Sequence, residues 1–336
     1  IADPGSYEWW YFDAISEDGR TAVVVIWFAA LPFSPDYLTD YERGRRPDPL
    51  DHVALSAAIY RDGKQLCYAL DRYDRSAFRA DRGPLDVAIG PNTIAVADGP
   101  DGPALQLNLE VPLVLGGESL SGDLRFEFAV DPRALDLGRG DETSDHVWNP
   151  VAPDCRVTGK LHVGGTGGED VFSQPFVGRG YHDHNYGTRP LTEGIRRWHW
   201  GRAHLGDATI VYYHLEPETG IATSLLAVVD RAREPRVAEG AEFRAGGWRR
   251  RPLCPRFPTA VDAAGGTGRA RVEVEGRVRH IVDWGPFYMR FLTDFTVRAH
   301  DGTTMTGVGI SEYLDPRGLR NRLYRPLIKT RIRRVN

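Results

Sequence analysis

The sequence predicts an all-β protein of two domains, and three observations carry that reading. Apolar and polar residues alternate in short runs, as in Leu105-Gln-Leu-Asn-Leu-Glu-Val111 and Leu124-Arg-Phe-Glu-Phe-Ala-Val130, which is the period of a strand with one buried face. Thirty-seven glycines and twenty-three prolines punctuate those runs, and no amphipathic stretch of four helical turns stands out. At 336 residues the chain is long for one domain and comfortable for two. Its 41% hydrophobic and 26% charged residues are ordinary for a globular protein. A formal charge of −4 offers no basic excess for nucleic acid and no acidic block for a disordered tail.

Taken in order, Tyr7-Glu-Trp-Trp-Tyr-Phe-Asp13 is aromatic on both faces. Such a strand is buried on both sides or lines an apolar cavity, here with the carboxylate of Glu8 inside. Ser16-Glu-Asp-Gly-Arg20 is a polar turn, and 21–28 is the returning strand of a hairpin. The apolar run to Phe33 is too short to span a bilayer. Residues 31–51, rich in Pro, Asp and Arg, form a long loop with a helical turn at 35–41. A second hairpin joins 53–60 to 64–70 around Arg61-Asp-Gly63, and Phe78, 85–89, 93–97, 105–111 and 124–130 continue a meander. A charged loop at 131–144 precedes extended pieces at 146–150 and 156–163 and a flexible turn at 164–168. A boundary near 188–195 divides the chain into domains 1–190 and 191–336. Beyond it strands restart at 198–204, 209–215, 224–230, Phe243, 270–278, 289–299 and 304–313, and a short helix is placed near 319–323.

Cys67, Cys155 and Cys254 are far apart and lack metal-ligand spacing, so free core thiols are expected, which fits the cytoplasm. The Arg-rich pieces at 249–251 and 329–334 are expected to be solvated. The first residue is Ile1, which leaves an upstream signal segment open.

Chemistry concentrates in Gly180-Tyr-His-Asp-His-Asn-Tyr-Gly187 and, soon after, in Trp198, His199, Trp200, Arg202 and His204. In an extended chain His182, His184 and Tyr186 share one face, and Tyr181, Asp183 and Asn185 the other. Three readings stay open. A histidine oriented by Asp183 or Asn185 is a general acid or base. The His182–His184 pair could hold a metal with Glu8, Asp183 or His199, although no familiar spacing of a third ligand is present and the aromatic density favours an apolar cavity. A Gly-rich polar turn could also simply join two domains. Trp9, Trp10, Trp27, Trp198 and Trp200 are core residues first, but a wall of Trp and Tyr also stabilises a carbocation. Tyr212 and His214 share a face on a further strand.

Glu8-Trp-Trp-Tyr11, Trp148-Asn-Pro-Val-Ala-Pro153, and the 180–187 motif followed by Arg197-Trp-His-Trp-Gly-Arg-Ala-His204 together resemble the carotenoid 1,2-hydratase (hydroxyneurosporene synthase) family of the AttH-like, lipocalin-like group. The resemblance implies two lipocalin-like antiparallel β-barrel domains with few short helices and a pocket for a long polyene or isoprenoid. It implies cofactor-free chemistry: a terminal double bond is protonated and water adds to the tertiary cation. The group also includes cyclases, isomerases and decalin-forming pericyclases. In the hydratases functional weight falls on a His-Asn-Trp and a Tyr-x-Asp segment, which align with His184-Asn185-Tyr186 and Tyr212-Tyr213-His214. Tyr186 then replaces a Trp, and His214 the acidic proton donor, which raises the weight of a gentler reaction on a polarised substrate or moves the acid to Asp183 or Glu8.

The catalytic candidates are therefore His184, Asp183, Tyr212, His214 and Tyr186. The substrate-binding candidates are Glu8, Trp9, Trp10, Tyr181, His182, Trp198, His199, Trp200 and Arg202. A hydratase, a cyclase or isomerase, and a non-catalytic carrier of a hydrophobic ligand are the three functions in play. The expected partner is a hydrophobic small molecule and not nucleic acid, with transient membrane contact through Leu31-Pro-Phe33.

Overall fold

The computed structural model describes residues 3–81, 83–99, 102–112, 119–129, 146–165, 167, 169–231 and 235–335. They fall into two compact units. Leu191–Arg325 belongs to the second, and the described residues before it, with the segment from Pro326 onward, form the first. Each unit is one curled, lipocalin-like sheet.

In chain order the first sheet contains β1 (Tyr7–Ser16), β2 (Thr21–Phe28), β3 (Ala54–Arg61), β4 (Lys64–Arg72), β5 (Phe78–Ala80), β6 (Asp86–Ile89), β7 (Asn92–Gly99), β8 (Gly102–Pro112), β9 (Ser119–Phe128), β10 (His146–Gly164) and β11 (Asp170–Gly187). The second contains β12 (Ile195–Leu205), β13 (Ala208–Pro217), β14 (Thr223–Asp230), β15 (Arg236–Val237), β16 (Glu242–Gly246), β17 (Ala260–Gly265), β18 (Val272–Trp284), β19 (Tyr288–Ala299) and β20 (Thr304–Leu314). The two-residue β21 (Arg333–Arg334) returns to the first sheet.

The first sheet runs β21-β4-β3-β2-β1-β11-β10-β9-β8-β7-β6-β5. Neighbours are antiparallel except β21, which lies parallel to β4. Tight turns set the early hairpins: Gly19 at φ 69° closes β1–β2, and Asp62 and Gly63 at φ 50° and 77° close β3–β4, a left-handed geometry that Gly and Asp tolerate best. One apolar cluster takes residues from both limbs, including Phe12, Trp27, Leu55, Leu107, Phe126 and Phe176. Trp27 Nε1 of β2 donates to the Asn92 carbonyl of β7 at 3.4 Å although the strands are far apart in the sheet order, so the sheet curls upon itself.

The second sheet runs β15-β14-β13-β12-β20-β19-β18-β17-β16 and encloses Ile210, Tyr212, Leu226, Val274, Phe295 and their neighbours. A Cβ on Gly201 would lie 2.6 Å from the Tyr212 ring, so the glycine opposite Tyr212 is what lets that ring lie flat across β12.

Several expectations change. Residues 176–187 are not a turn between domains but the last two thirds of the 18-residue β11. The pieces at 146–150 and 156–163 are one strand, β10, whose register shifts around Pro150, Ala152 and Cys155, where prolines cannot donate to the ladder. Leu31-Pro-Phe33 does not offer itself to a bilayer: Leu31 and Pro32 are buried, and Phe33 packs 6.2–6.3 Å from the rings of Phe28 and Trp9. The 131–144 loop and Val130 lie outside the described residues, as do Thr166 and Gly168 of the 164–168 turn. The expected helical turn is α1 (Pro35–Glu42), started by a proline whose missing N–H costs nothing there. Among the described residues no helix is long and apolar enough to cross a membrane.

The C-terminal segment straps the edge of the first sheet. Arg333 forks onto Asp71 at 3.1 and 3.0 Å and also reaches the Pro112 carbonyl. Val335 N donates to Arg72 O at 2.9 Å, and Arg331 lies 4.3 Å over the Tyr68 ring.

Candidate functional site

In the first unit β1 and β11 lie side by side, with Trp10 opposite His184, Phe12 opposite His182 and Glu8 opposite Tyr186. These six residues share the core-facing side. Trp9, Tyr11 and Asp13 stand opposite Asn185, Asp183 and Tyr181 on the other side. Asp183 therefore cannot orient His184, since the two point away from each other.

The core-facing row runs from closed to open. His182 is buried, stacked on Phe12 at 4.0 Å, and its Nδ1–H donates to the Tyr11 carbonyl at 2.9 Å. Burial pushes its pKa down to about 3, so the ring is neutral. His184 stacks on Trp10 at 5.2 Å and 5°, and its Nε2 lies 2.6 Å from Glu8 Oε1. Both side chains are partly exposed, and Tyr186, 5.6 Å from the His184 ring, is 41% exposed. A carboxyl and an imidazole sharing a proton beside an indole and a phenol can deliver and retrieve that proton next to surfaces that tolerate a cation.

The opposite row is a buried polar network. Asp183 Oδ2 accepts from Tyr181 Oη at 2.8 Å and Trp148 Nε1 at 2.9 Å, and its Oδ1 accepts from Asn185 Nδ2 at 2.6 Å. Tyr11 donates to Asp13 at 3.0 Å. Trp9 stacks on both Tyr7 and His146, which are themselves 2.9 Å apart through Oη and Nδ1. Burial lowers His146 to about 3. In these bonds Asp183 is an acceptor that fixes three side chains.

In the second unit the predicted residues also divide between two faces. His199, Tyr212 and His214 face the core with Phe243 and Tyr313. His214 stacks on Phe243 at 4.5 Å, its Nδ1 is 2.8 Å from Ser224 Oγ, and burial lowers its pKa. Burial takes His199 down to about 3 and raises the Tyr212 phenol. An imidazolium at His214 is thus disfavoured, and with it the role of proton donor. Trp198, Trp200 and Arg202 face the other way. There Glu312 stands opposite Trp200, and Arg290 opposite Glu312. Arg290 Nε reaches Glu312 Oε1 at 3.0 Å, its Nη1 is 4.0 Å from Asp283, and its guanidinium lies 5.2 Å from the Tyr288 ring.

Sequence reasoning missed Asp13, His146, Asp283, Arg290 and Glu312. A charge in an otherwise apolar strand, as in Tyr288-Met-Arg-Phe-Leu292, was the signal available. Among the described residues no three His, Cys, Asp or Glu side chains are grouped to hold a metal ion. A cavity of about 700 Å³ in the second unit, lined by Val228, Val272, Val297, Met305, Arg236 and Arg269 among others, contains none of the predicted residues.

The family model described as Carotenoid hydratase CrtC matches residues 25–336. The chain belongs to the carotenoid hydratase family. The resemblance carried by the three sequence segments is borne out. A hydroxyneurosporene dehydrogenase of Chlorobaculum tepidum is 31% identical over 99% of this chain and 88% of its own length. The acyclic carotenoid 1,2-hydratase of Thiocapsa roseopersicina is 34% identical over 66% of this chain, which spans half of that protein. The corresponding hydratase of Cereibacter sphaeroides is 27% identical over 92% of this chain and 98% of its own length. Among solved structures, the AttH-type protein of Nitrosomonas europaea aligns over 93% of both chains with a TM-score of 0.58 at 16% identity. CghA gives a TM-score of 0.58 at 13% identity over 93% of this chain and 88% of its own. These two establish the fold, shared by this carotenoid hydratase family member, and no more.

Proposed function

We propose that this carotenoid hydratase family member adds water to a terminal isoprenoid C=C bond of an acyclic carotenoid, with Glu8 and His184 handling the proton and no cofactor taking part. The observation that carries the reading is the 2.6 Å contact between His184 Nε2 and Glu8 Oε1, stacked on Trp10 and open towards Tyr186. The proton held by the pair moves to the less substituted alkene carbon, and the π electrons form the new C–H bond. The tertiary cation left behind faces Trp10 and Tyr186, whose ring faces are negative. Water adds through oxygen, and the oxonium returns its excess proton to the pair, so the site is restored and the net change is the addition of H₂O. Incubation with an acyclic carotenoid in heavy-oxygen water tests this. One labelled hydroxyl per product is expected, with turnover surviving exhaustive chelation. A product of unchanged mass and altered skeleton overturns it.

A second reading, isomerisation or cyclisation of an already polarised polyene, is favoured by one observation. His214, where the hydratases carry an acid, is a partly buried imidazole whose protonated form desolvation disfavours. The heavy-oxygen experiment separates the two, since only hydration incorporates label.

A further inference from the structure

We propose that the hairpin loop between β16 and β17 of the second unit is a docking surface for an anionic phospholipid bilayer. The loop is held shut at its base, where Arg249 N donates to Phe257 O at 2.8 Å and Phe257 N returns a bond to Arg249 O at 3.1 Å. Phe257 is anchored in a core with Met289, Phe291 and Tyr313. This base presents a cluster of cations. Arg249, Arg250, Arg251 and Arg256 are all exposed. None of the four is paired with a carboxylate among the described residues, whereas Arg271, Arg277 and Arg279 of the same unit each hold one.

Between the arginines Leu253 is 48% exposed and sits at φ 62°, a left-handed conformation that non-glycine residues adopt only when the fold imposes it. Trp284, at the end of β18, is 41% exposed, and the Arg251 guanidinium lies 4.3 Å from its ring. Cations without a carboxylate partner, around a forced-out leucine and a half-exposed indole, match the negative charge, apolar interior and aromatic-seeking interface of a bilayer. A nucleic acid would satisfy the arginines but would leave Leu253 in water. The proposal rests on this surface chemistry and not on the reaction proposed above.

Vesicle flotation of the full chain tests it, with phosphatidylcholine alone and with one third phosphatidylglycerol. Binding is expected only to the anionic vesicles and is expected to weaken with salt. At roughly fivefold per arginine, Arg249→Gln/Arg250→Gln/Arg251→Gln should lower the partition coefficient on the order of a hundredfold. The corresponding triple lysine variant should retain binding, and Leu253→Ser should weaken it severalfold with every charge in place. All these side chains are exposed, and unchanged circular dichroism verifies the fold of each variant. Equal binding to neutral vesicles overturns the proposal. So does undiminished binding by the glutamine variant, or arginine-dependent capture of an RNA oligonucleotide by a chain that ignores both vesicles.

Discussion

Glu8 and His184 meet on the diagonal of the β1–β11 ladder: each stands opposite another residue, Tyr186 and Trp10 respectively, yet their side-chain tips are 2.6 Å apart. Diagonal neighbours on one face of an antiparallel pair are within reach of long side chains. The geometry of the pair is therefore set by strand register, and a one-residue slip would put the two on opposite faces.

If this pair moves the proton, Glu8→Gln and His184→Gln should each lower turnover by about a hundredfold or more, the scale of general acid–base catalysis. Both side chains are partly exposed, so thermal stability should change little. Product formation by chromatography, read beside a melting curve, checks both halves of the statement.

His214→Gln should cost less than about tenfold in the same assay, because desolvation disfavours the imidazolium that would have to donate the proton. A loss as deep as that of Glu8→Gln would return the acid to the second unit.

Asp183→Ala should act on stability first. It removes the acceptor of Trp148, Tyr181 and Asn185, and stranded buried donors cost about 1–3 kcal/mol each before relaxation. A loss on the order of 3 kcal/mol in denaturant unfolding is expected, with Asp183→Asn milder.

Acid should weaken the protein through His146, His182 and His199, all lowered by burial to about 3. Between that value and the ordinary histidine pKa of about 6.5, the unfolded chain binds protons that the native chain does not. Stability is therefore complete above about pH 6.5 and is lost as pH falls, by about 2 kcal/mol per histidine at pH 5. His182→Gln, which does not titrate, should make the acid limb of a melting-temperature profile shallower.

Gly201→Ala places a methyl 2.6 Å from the Tyr212 ring. Overpacking of this kind costs about 1–3 kcal/mol. A lowered melting temperature, relieved by adding Tyr212→Leu, is the expected pattern.

Much of this was legible in the sequence. Alternation reports which residues share a face, so the division of His182, His184 and Tyr186 from Tyr181, Asp183 and Asn185 could be read directly. Which strand lies alongside could not. Glu8 and His184 are 176 positions apart, and nothing local records that β1 takes β11 rather than a nearer strand as its second neighbour. The lowered basicity of His214 was hidden for a related reason, since desolvation belongs to the packed core around Phe243 and not to the residue. The two-residue β21 carries no periodicity at all.

That short strand has a consequence for synthesis. Asp71 receives its guanidinium partner from Arg333, 262 positions downstream. At roughly 5–20 residues per second, a ribosome takes about 13–50 s to make that stretch. Throughout that interval β4 is a nascent edge with no neighbour on its outer side, the kind of edge that recruits foreign strands. The first unit can collapse early, but its last seam closes only once Arg333 has been made and has reached Asp71.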